Sequence, residues 1–180
     1  MPEFREAEEA VQTRINTLMK VGEKGKRTVD DFHRELGLLV WDKCGMSRSK
    51  DGLEEAIAKI PGIRSEFKEN CRIPGSASSL NMELEKAGRV EDFMDFAEMM
   101  CHDALDREES CGGHFREEYQ FTDKDPEVQN GYTNAGEAKR RDEEFQYVSA
   151  WGDKGPGVKP ELYKEELNFE EVKPSVRSYK

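Results

Sequence analysis

From Leu80 to Arg107 apolar residues recur at three- and four-residue steps: Leu84, Ala87, Val90, Phe93, Ala97, Met100, Ala104 and Leu105. That period places one continuous stripe on a helix of about 28 residues, roughly 40 Å long. An amphipathic helix of such length must cover its stripe with other helices, and the preceding residues supply them. Ala7, Val11, Ile15 and Leu18 make a stripe over 4–20, ended by Gly22-Glu23-Lys24-Gly25. Thr28 and Asp31 form a capping-box pair ahead of Val29, Phe32, Leu36, Leu39 and Val40, and Cys44-Gly45 stops that second helix. A third begins at Ser49-Lys50-Asp51, with Leu53, Ile57 and Ile60 on one face and Ile63 and Phe67 beyond. Pro61 removes a backbone donor inside this pattern and predicts a kink or break there.

Beyond Arg107 the pattern changes. Residues 108–142 hold glycines, acids and few aliphatics, which predicts little burial. Glu144 to Trp151 is rich in aromatic and β-branched types and reads as a strand. Glu166-Leu167-Asn168-Phe169-Glu170 alternates and is expected to pair with it across the Gly152–Gly157 connector. The fold class is therefore mainly α: an antiparallel bundle of three to four helices over 1–107, then an irregular segment with a short two-stranded β ribbon. Residues 108–180 are expected to lie on the bundle as part of one structural unit.

Composition narrows the function. With 35% apolar and 37% charged residues, the chain buries only a small core. The balance of 39 acids to 28 bases repels phosphate backbones, so no nucleic-acid partner is expected. No run approaches ~18 apolar residues, so no direct membrane insertion is expected either. Cys44, Cys71, Cys101 and Cys111 stand apart and read as free thiols of a reducing compartment. Nucleotide signatures such as GxGxxG or GxxxxGK[ST] are absent. Cys101-His102 with Cys111 and His114 invites a zinc reading, but adjacent helical positions point about 100° apart and cannot share one ion. His33 reads as structural, Met82, Phe93, Met94, Phe96, Met99 and Met100 as core filling, and Asp142-Glu143-Glu144 as a solvated face.

One segment stands out: Arg107-Glu108-Glu109-Ser110-Cys111-Gly112-Gly113-His114-Phe115-Arg116-Glu117-Glu118-Tyr119. Two arginines, a histidine, paired glycines and several carboxylates are costly to order unless the groups pair. Two readings stand side by side, a self-satisfied turn and a docking turn against another surface.

The segment resembles the R-x-E-S-R-G-A-H-x-R-x-D-Y stretch of succinate dehydrogenase and fumarate reductase flavoprotein subunits, a related form of which occurs in L-aspartate oxidases. Glu109, Ser110, Gly112, His114, Arg116 and Tyr119 match, while Cys111 replaces an arginine, Gly113 an alanine and Glu118 an aspartate. Leu39 to Arg48 is similar to the family's M-W-x-x-x-G-[IV]-x-R, and Gly52-Leu53 to its following G-L. Arg141 to Phe145 resembles R-D-D-E-x-[WF], and Pro174 to Tyr179 the P-x-x-R-S-Y terminus.

The resemblance implies the carboxy-terminal helical domain of such a subunit. The whole subunit would interconvert succinate and fumarate through FAD and pass electrons to an iron–sulfur subunit and quinone. It would lie peripherally on the cytoplasmic face of the membrane. The partners implied are an upstream FAD-binding domain and the iron–sulfur subunit. The flavin-linking and dicarboxylate residues belong to upstream stretches, so no catalytic, cofactor or metal residue is assigned here, and Met1 reads as an added start at a domain boundary. The isolated chain is expected to bind no FAD and to be inactive. Arg107, Glu109, Ser110, Gly112, His114, Arg116 and Tyr119 form the expected docking turn for the flavin domain, more exposed and mobile than the helices. An L-aspartate oxidase fragment and a stand-alone helical interaction module are the alternatives.

Overall fold

A computed structural model describes residues 1–155 and 158–173. The Pro174–Tyr179 motif and part of the Gly152–Gly157 connector lie outside these residues. Four helices dominate: α1 (Pro2–Gly22), α2 (Val29–Cys44), α3 (Lys50–Asn70) and α4 (Met82–Asp106). Each start after the first has its own side-chain cap. Thr28 Oγ1 accepts from the Asp31 amide while Asp31 Oδ2 accepts from the Thr28 amide, the reciprocal box expected. Ser49 Oγ accepts from Gly52, and Asn81 Oδ1 from Glu83 and Leu84. Asn81 sets the start of α4 two positions after Leu80, which stays in solvent.

The helices run up and down. Arg14 of α1 clamps α4 through Glu91, Asp92 and the Gly88 carbonyl. Asp30 meets Lys86, the His33 ring meets Phe93, and Cys44 Sγ reaches the Met100 carbonyl, so α2 lies parallel to α4. Arg64 bonds Glu98 at 2.6 Å and Asp95 at 3.0 Å, and Lys43 pairs with Glu55, so α3 runs opposite to both.

Three sequence expectations are corrected in this bundle. The buried seam of α4 is Ala87, Val90, Met94, Ala97, Cys101 and Ala104, whereas Phe93 and Met100 face outward. Small residues on that seam let α4 lie close to α2 and α3. The pattern does not break at Pro61: α3 is continuous across it. Pro61 costs the bond to the Ile57 carbonyl, but Ile60, Ile63 and Phe67 are buried on both sides of it, so the helix does not end there. Only the last turns of α1 are buried, and Ala7 and Val11 lie in solvent.

A feature the sequence did not suggest joins the ends of the α2–α3 hairpin. β1 (Arg27–Thr28) pairs in parallel with β2 (Cys71–Arg72). Gly25 is required beside it, because a Cβ there would sit 2.0 Å from the Cys71 carbonyl oxygen.

The remainder contains two single-turn helices, α5 (Pro126–Gln129) and α6 (Asp142–Phe145), and an antiparallel ribbon. The ribbon is β3 (Tyr147–Gly152) with β4 (Glu161–Glu166), in register from Tyr147↔Glu166 to Gly152↔Glu161. The expected first strand therefore starts later, after α6, and the second lies upstream of 166–170. Trp151 Nε1 donates to Asp103 at 2.7 Å and ties the ribbon to α4. Among the described residues no helix is long and apolar enough to cross a membrane.

Candidate docking site

The 107–119 segment leaves the end of α4 and folds back under it. Its charged residues divide: Glu108, Glu117 and Glu118 are exposed, whereas Glu109 and Arg116 are enclosed. Glu109 is 1%, Ser110 0% and Arg116 2% exposed, so these three are not the exposed groups expected of the turn. Each buried group is matched. Arg116 Nη1 donates to the Ala104 and Leu105 carbonyls at 2.8 and 3.1 Å, so its guanidinium caps the carboxy-terminal end of α4. Its Nε reaches Glu118 at 3.2 Å. Ser110 Oγ donates to the Arg116 carbonyl and accepts the Arg116 amide, which locks the two limbs of the turn. Glu109 accepts both Nε and Nη2 of Arg107 on one oxygen and the Arg141 amide on the other.

Between the limbs, Cys111 and His114 exchange backbone hydrogen bonds around a tight two-residue tip. Gly112 sits at φ +59°, in the left-handed region that favours glycine, and open space surrounds both tip glycines. His114 is half-buried below the tip. Arginine only donates, so His114 Nδ1 must accept from Arg48 Nη1 at 2.8 Å. His114 Nε2 then carries the proton and donates to the Arg107 carbonyl at 2.7 Å. Burial lowers the imidazole's pKa, and the neighbouring Arg48, Arg107 and Arg116 lower it further against the Arg107 carbonyl. The ring is thus fixed as one neutral tautomer. Burial would raise the Glu118 pKa, but the Lys50 amide and Arg116 outweigh it and lower the value.

The structure brings all seven predicted residues into one cluster, with Tyr119 at its edge. The Tyr119 ring lies 5.4 Å from the Arg116 guanidinium and 6.0 Å from that of Arg141. Two participants carried no predicted role. Arg48 pairs by backbone with Phe115 and Glu117 as well as by side chain with His114. Arg141 donates to Glu109 by its amide and to Glu108 and Glu144 by its side chain. Both stand in stretches that carry the family resemblance, and that was the signal available.

The other sequence candidates fall elsewhere. Cys101 lies in the core, while His102 sits half-buried on α4 with its pKa lowered by burial. Among the described residues no three His, Cys, Asp or Glu side chains are grouped to hold a metal ion. Beside the turn opens a cleft of about 320 Å³ lined by Asp42, Lys43, Asp51, Glu55 and Glu117. Four carboxylates against one lysine give it a field that repels dicarboxylate anions.

Comparison with known proteins fits this geometry. The family profile described as fumarate reductase flavoprotein C-term matches residues 33–179. The fumarate reductase flavoprotein subunit of Escherichia coli is 30% identical over 115 residues, 64% of this chain and 19% of its own length. That of Serratia is 28% identical over the same extent. The L-aspartate oxidase of Synechocystis is 28% identical over 100 residues, 49% of this chain and 18% of its own length. Among solved structures, an E. coli quinol fumarate reductase superposes with a TM-score of 0.70 at 24% identity, covering 94% of this chain and 26% of that one. Mycobacterium smegmatis Sdh1 superposes at 0.65 with 19% identity, covering 90% of this chain and 24% of that one. These superpositions establish a shared fold. The chain spans about a fifth of the length of the curated relatives it matches.

Proposed function

Because this chain belongs to the fumarate reductase flavoprotein C-terminal family, we propose that it serves as the carboxy-terminal domain of a succinate dehydrogenase or fumarate reductase flavoprotein. In this reading the 107–119 turn seats the flavin-bearing domain. The observation that carries it is the pre-formed cluster of Arg107, Glu109, Ser110, His114 and Arg116, whose buried charges are matched within this chain and which leaves an open glycine tip. A surface that is rigid without its partner loses little entropy on docking. The bundle and the 108–180 segment act together as one unit, since the turn is held by Arg48 from one and Arg141 from the other.

The capped starts of α2, α3 and α4 support placing the flavin outside this bundle. The amino-terminal amides of α2, α3 and α4 are occupied by Thr28, Ser49 and Asn81, so they offer no free cradle for a pyrophosphate. The neighbouring cleft is acidic. FAD and the succinate–fumarate chemistry are therefore assigned to upstream residues of the full-length subunit. There, electrons would pass to an iron–sulfur subunit and quinone, on the cytoplasmic face of the membrane. His114, held neutral between Arg48 and the Arg107 carbonyl, is a structural group in this scheme rather than a proton donor.

The test is His114→Ala in the full-length subunit, reading flavin content, melting temperature and turnover per bound flavin. Flavin retention and melting temperature should fall together while turnover per flavin holds. Normal flavin and stability with turnover down a thousandfold would instead make His114 catalytic and refute the docking role. Turnover with L-aspartate rather than succinate would assign the subunit to the oxidases.

A further inference from the structure

Where α2 ends against α4, two cysteines meet in the core. Cys44 is the last residue of α2 and Cys101 lies on the buried seam of α4; both are almost wholly enclosed. Cys44 Sγ approaches the Met100 carbonyl at 3.9 Å, which places it against the backbone next to Cys101. Cys71 lies at the opposite end of α3, and Cys111 lies beyond α4 in the turn. Among the described residues no group of three His, Cys, Asp or Glu side chains forms around the pair to hold a metal ion. Nothing in the docking role uses these thiols.

We propose that Cys44 and Cys101 form a redox pair, oxidised by a peroxide to a disulfide that ties the end of α2 to α4. In the first step the Cys44 thiolate attacks one peroxide oxygen. The O–O bond breaks, a sulfenic acid forms on Cys44 and, after a proton is taken up, one water leaves. Cys101 Sγ then attacks the Cys44 sulfur; the S–S bond forms, the S–O bond breaks, and the Cys101 proton departs with the oxygen as a second water. Two thiols are oxidised and one hydrogen peroxide is reduced to two waters.

Three features support this order of events. Cys44, unlike Cys101, stands at a helix end, four residues from Arg48, and its contact with Cys101, against burial and with help from Arg48, lowers its pKa, so the attacking sulfur is Cys44. The same contact and burial push Cys101 up, so it remains the proton-bearing, resolving partner. Cys44 also ends a helix, at Gly45, where fraying admits a small neutral oxidant to a site that is closed on average. The bond has a readable consequence at the turn. Cys44 is four residues before Arg48, which holds His114 and pairs with the Phe115–Glu117 limb. Fixing the end of α2 fixes the corner on which the turn leans.

The experiment treats the folded 180-residue chain with hydrogen peroxide, alkylates the remaining thiols, and maps disulfides by peptide mass spectrometry. Free thiols should fall from four to two. One cross-linked peptide should join Cys44 to Cys101, lighter by two hydrogens, and a thiol reductant should reverse it. Because the link closes a long loop of the unfolded chain, the oxidised form should melt higher by roughly 5–10 °C. Cys111→Ser should leave the link intact, and Cys44→Ser should abolish it; the mapping in the unaltered chain stands even if that second variant misfolds. Four thiols surviving, or three with Cys111 alone oxidised, would overturn the proposal. So would a Cys44–Cys101 link that appears only with loss of helical circular dichroism or a lowered melting point, since that marks trapping of an unfolded chain.

Discussion

Replacing Arg116 tests whether the turn stabilises the bundle or merely follows it. Arg116 is 2% exposed, and its guanidinium satisfies two carbonyls at the end of α4. In Arg116→Met the apolar volume is largely kept, so the cavity contribution stays small. What is lost is the capping of Ala104 and Leu105. One unsatisfied buried acceptor costs ~1–3 kcal/mol, and the bonds removed were charge-assisted. The contact with Glu118 adds little, because that carboxylate is 40% exposed and water replaces the partner. The sum is about 3 kcal/mol. With a urea slope of ~2 kcal/mol/M, the midpoint should fall by ~1.5 M at unchanged slope. Arg116→Lys, which keeps the charge but loses the fork, should recover part of the loss. A shift below ~0.5 M for Arg116→Met would mean that water reaches those carbonyls, and the buried-cap argument would fail.

Two further outcomes follow from the same structure. Burial lowers the pKa values of His102 and His114, so as pH falls the unfolded chain protonates first; stability is full above about 6.5 and declines below it. Urea midpoints taken at falling pH should drop across that window, and less so in His114→Gln; a flat or rising profile would contradict the assignment. Pro61→Ala restores the bond to the Ile57 carbonyl inside α3 and should stabilise the chain by ~1 kcal/mol or more, read as a higher melting temperature.

Local chemistry was legible in the sequence; the choice between neighbouring faces was not. Thr28 and Asp31 lie three residues apart, so their mutual capping can be read directly. On α4, however, Phe93 with Met100 and Met94 with Cys101 trace adjoining stripes of the same period. Hydrophobicity alone favours the stripe with the phenylalanine. The other is buried because α3 supplies Arg64 to bond the Met94 carbonyl and Glu98 on that side. The turn misled for a similar reason. Arg116 and Glu109 look solvated until their partners are known, and Glu109 finds one of them at Arg141, far along the chain. The ribbon was displaced because pairing depends on both strands: Glu161–Glu166 matches Tyr147–Gly152 in register, with Trp151 anchored on Asp103.

The short parallel pairing of Arg27–Thr28 with Cys71–Arg72 closes the α2–α3 hairpin into a ring of chain, latched by the Lys26 amide on the Asn70 carbonyl. Strand contacts so distant in sequence carry a loop-closure cost, which the packing of Phe32 on Phe67 between the two helices helps to offset. Once closed, the ring opens only as a whole. In native-state hydrogen exchange, amides on facing sides of α2 and α3 should therefore share one opening free energy, above that of the solvent-exposed start of α1. The hairpin would then be the last cooperative unit to come apart and the base on which α1 and α4 are mounted.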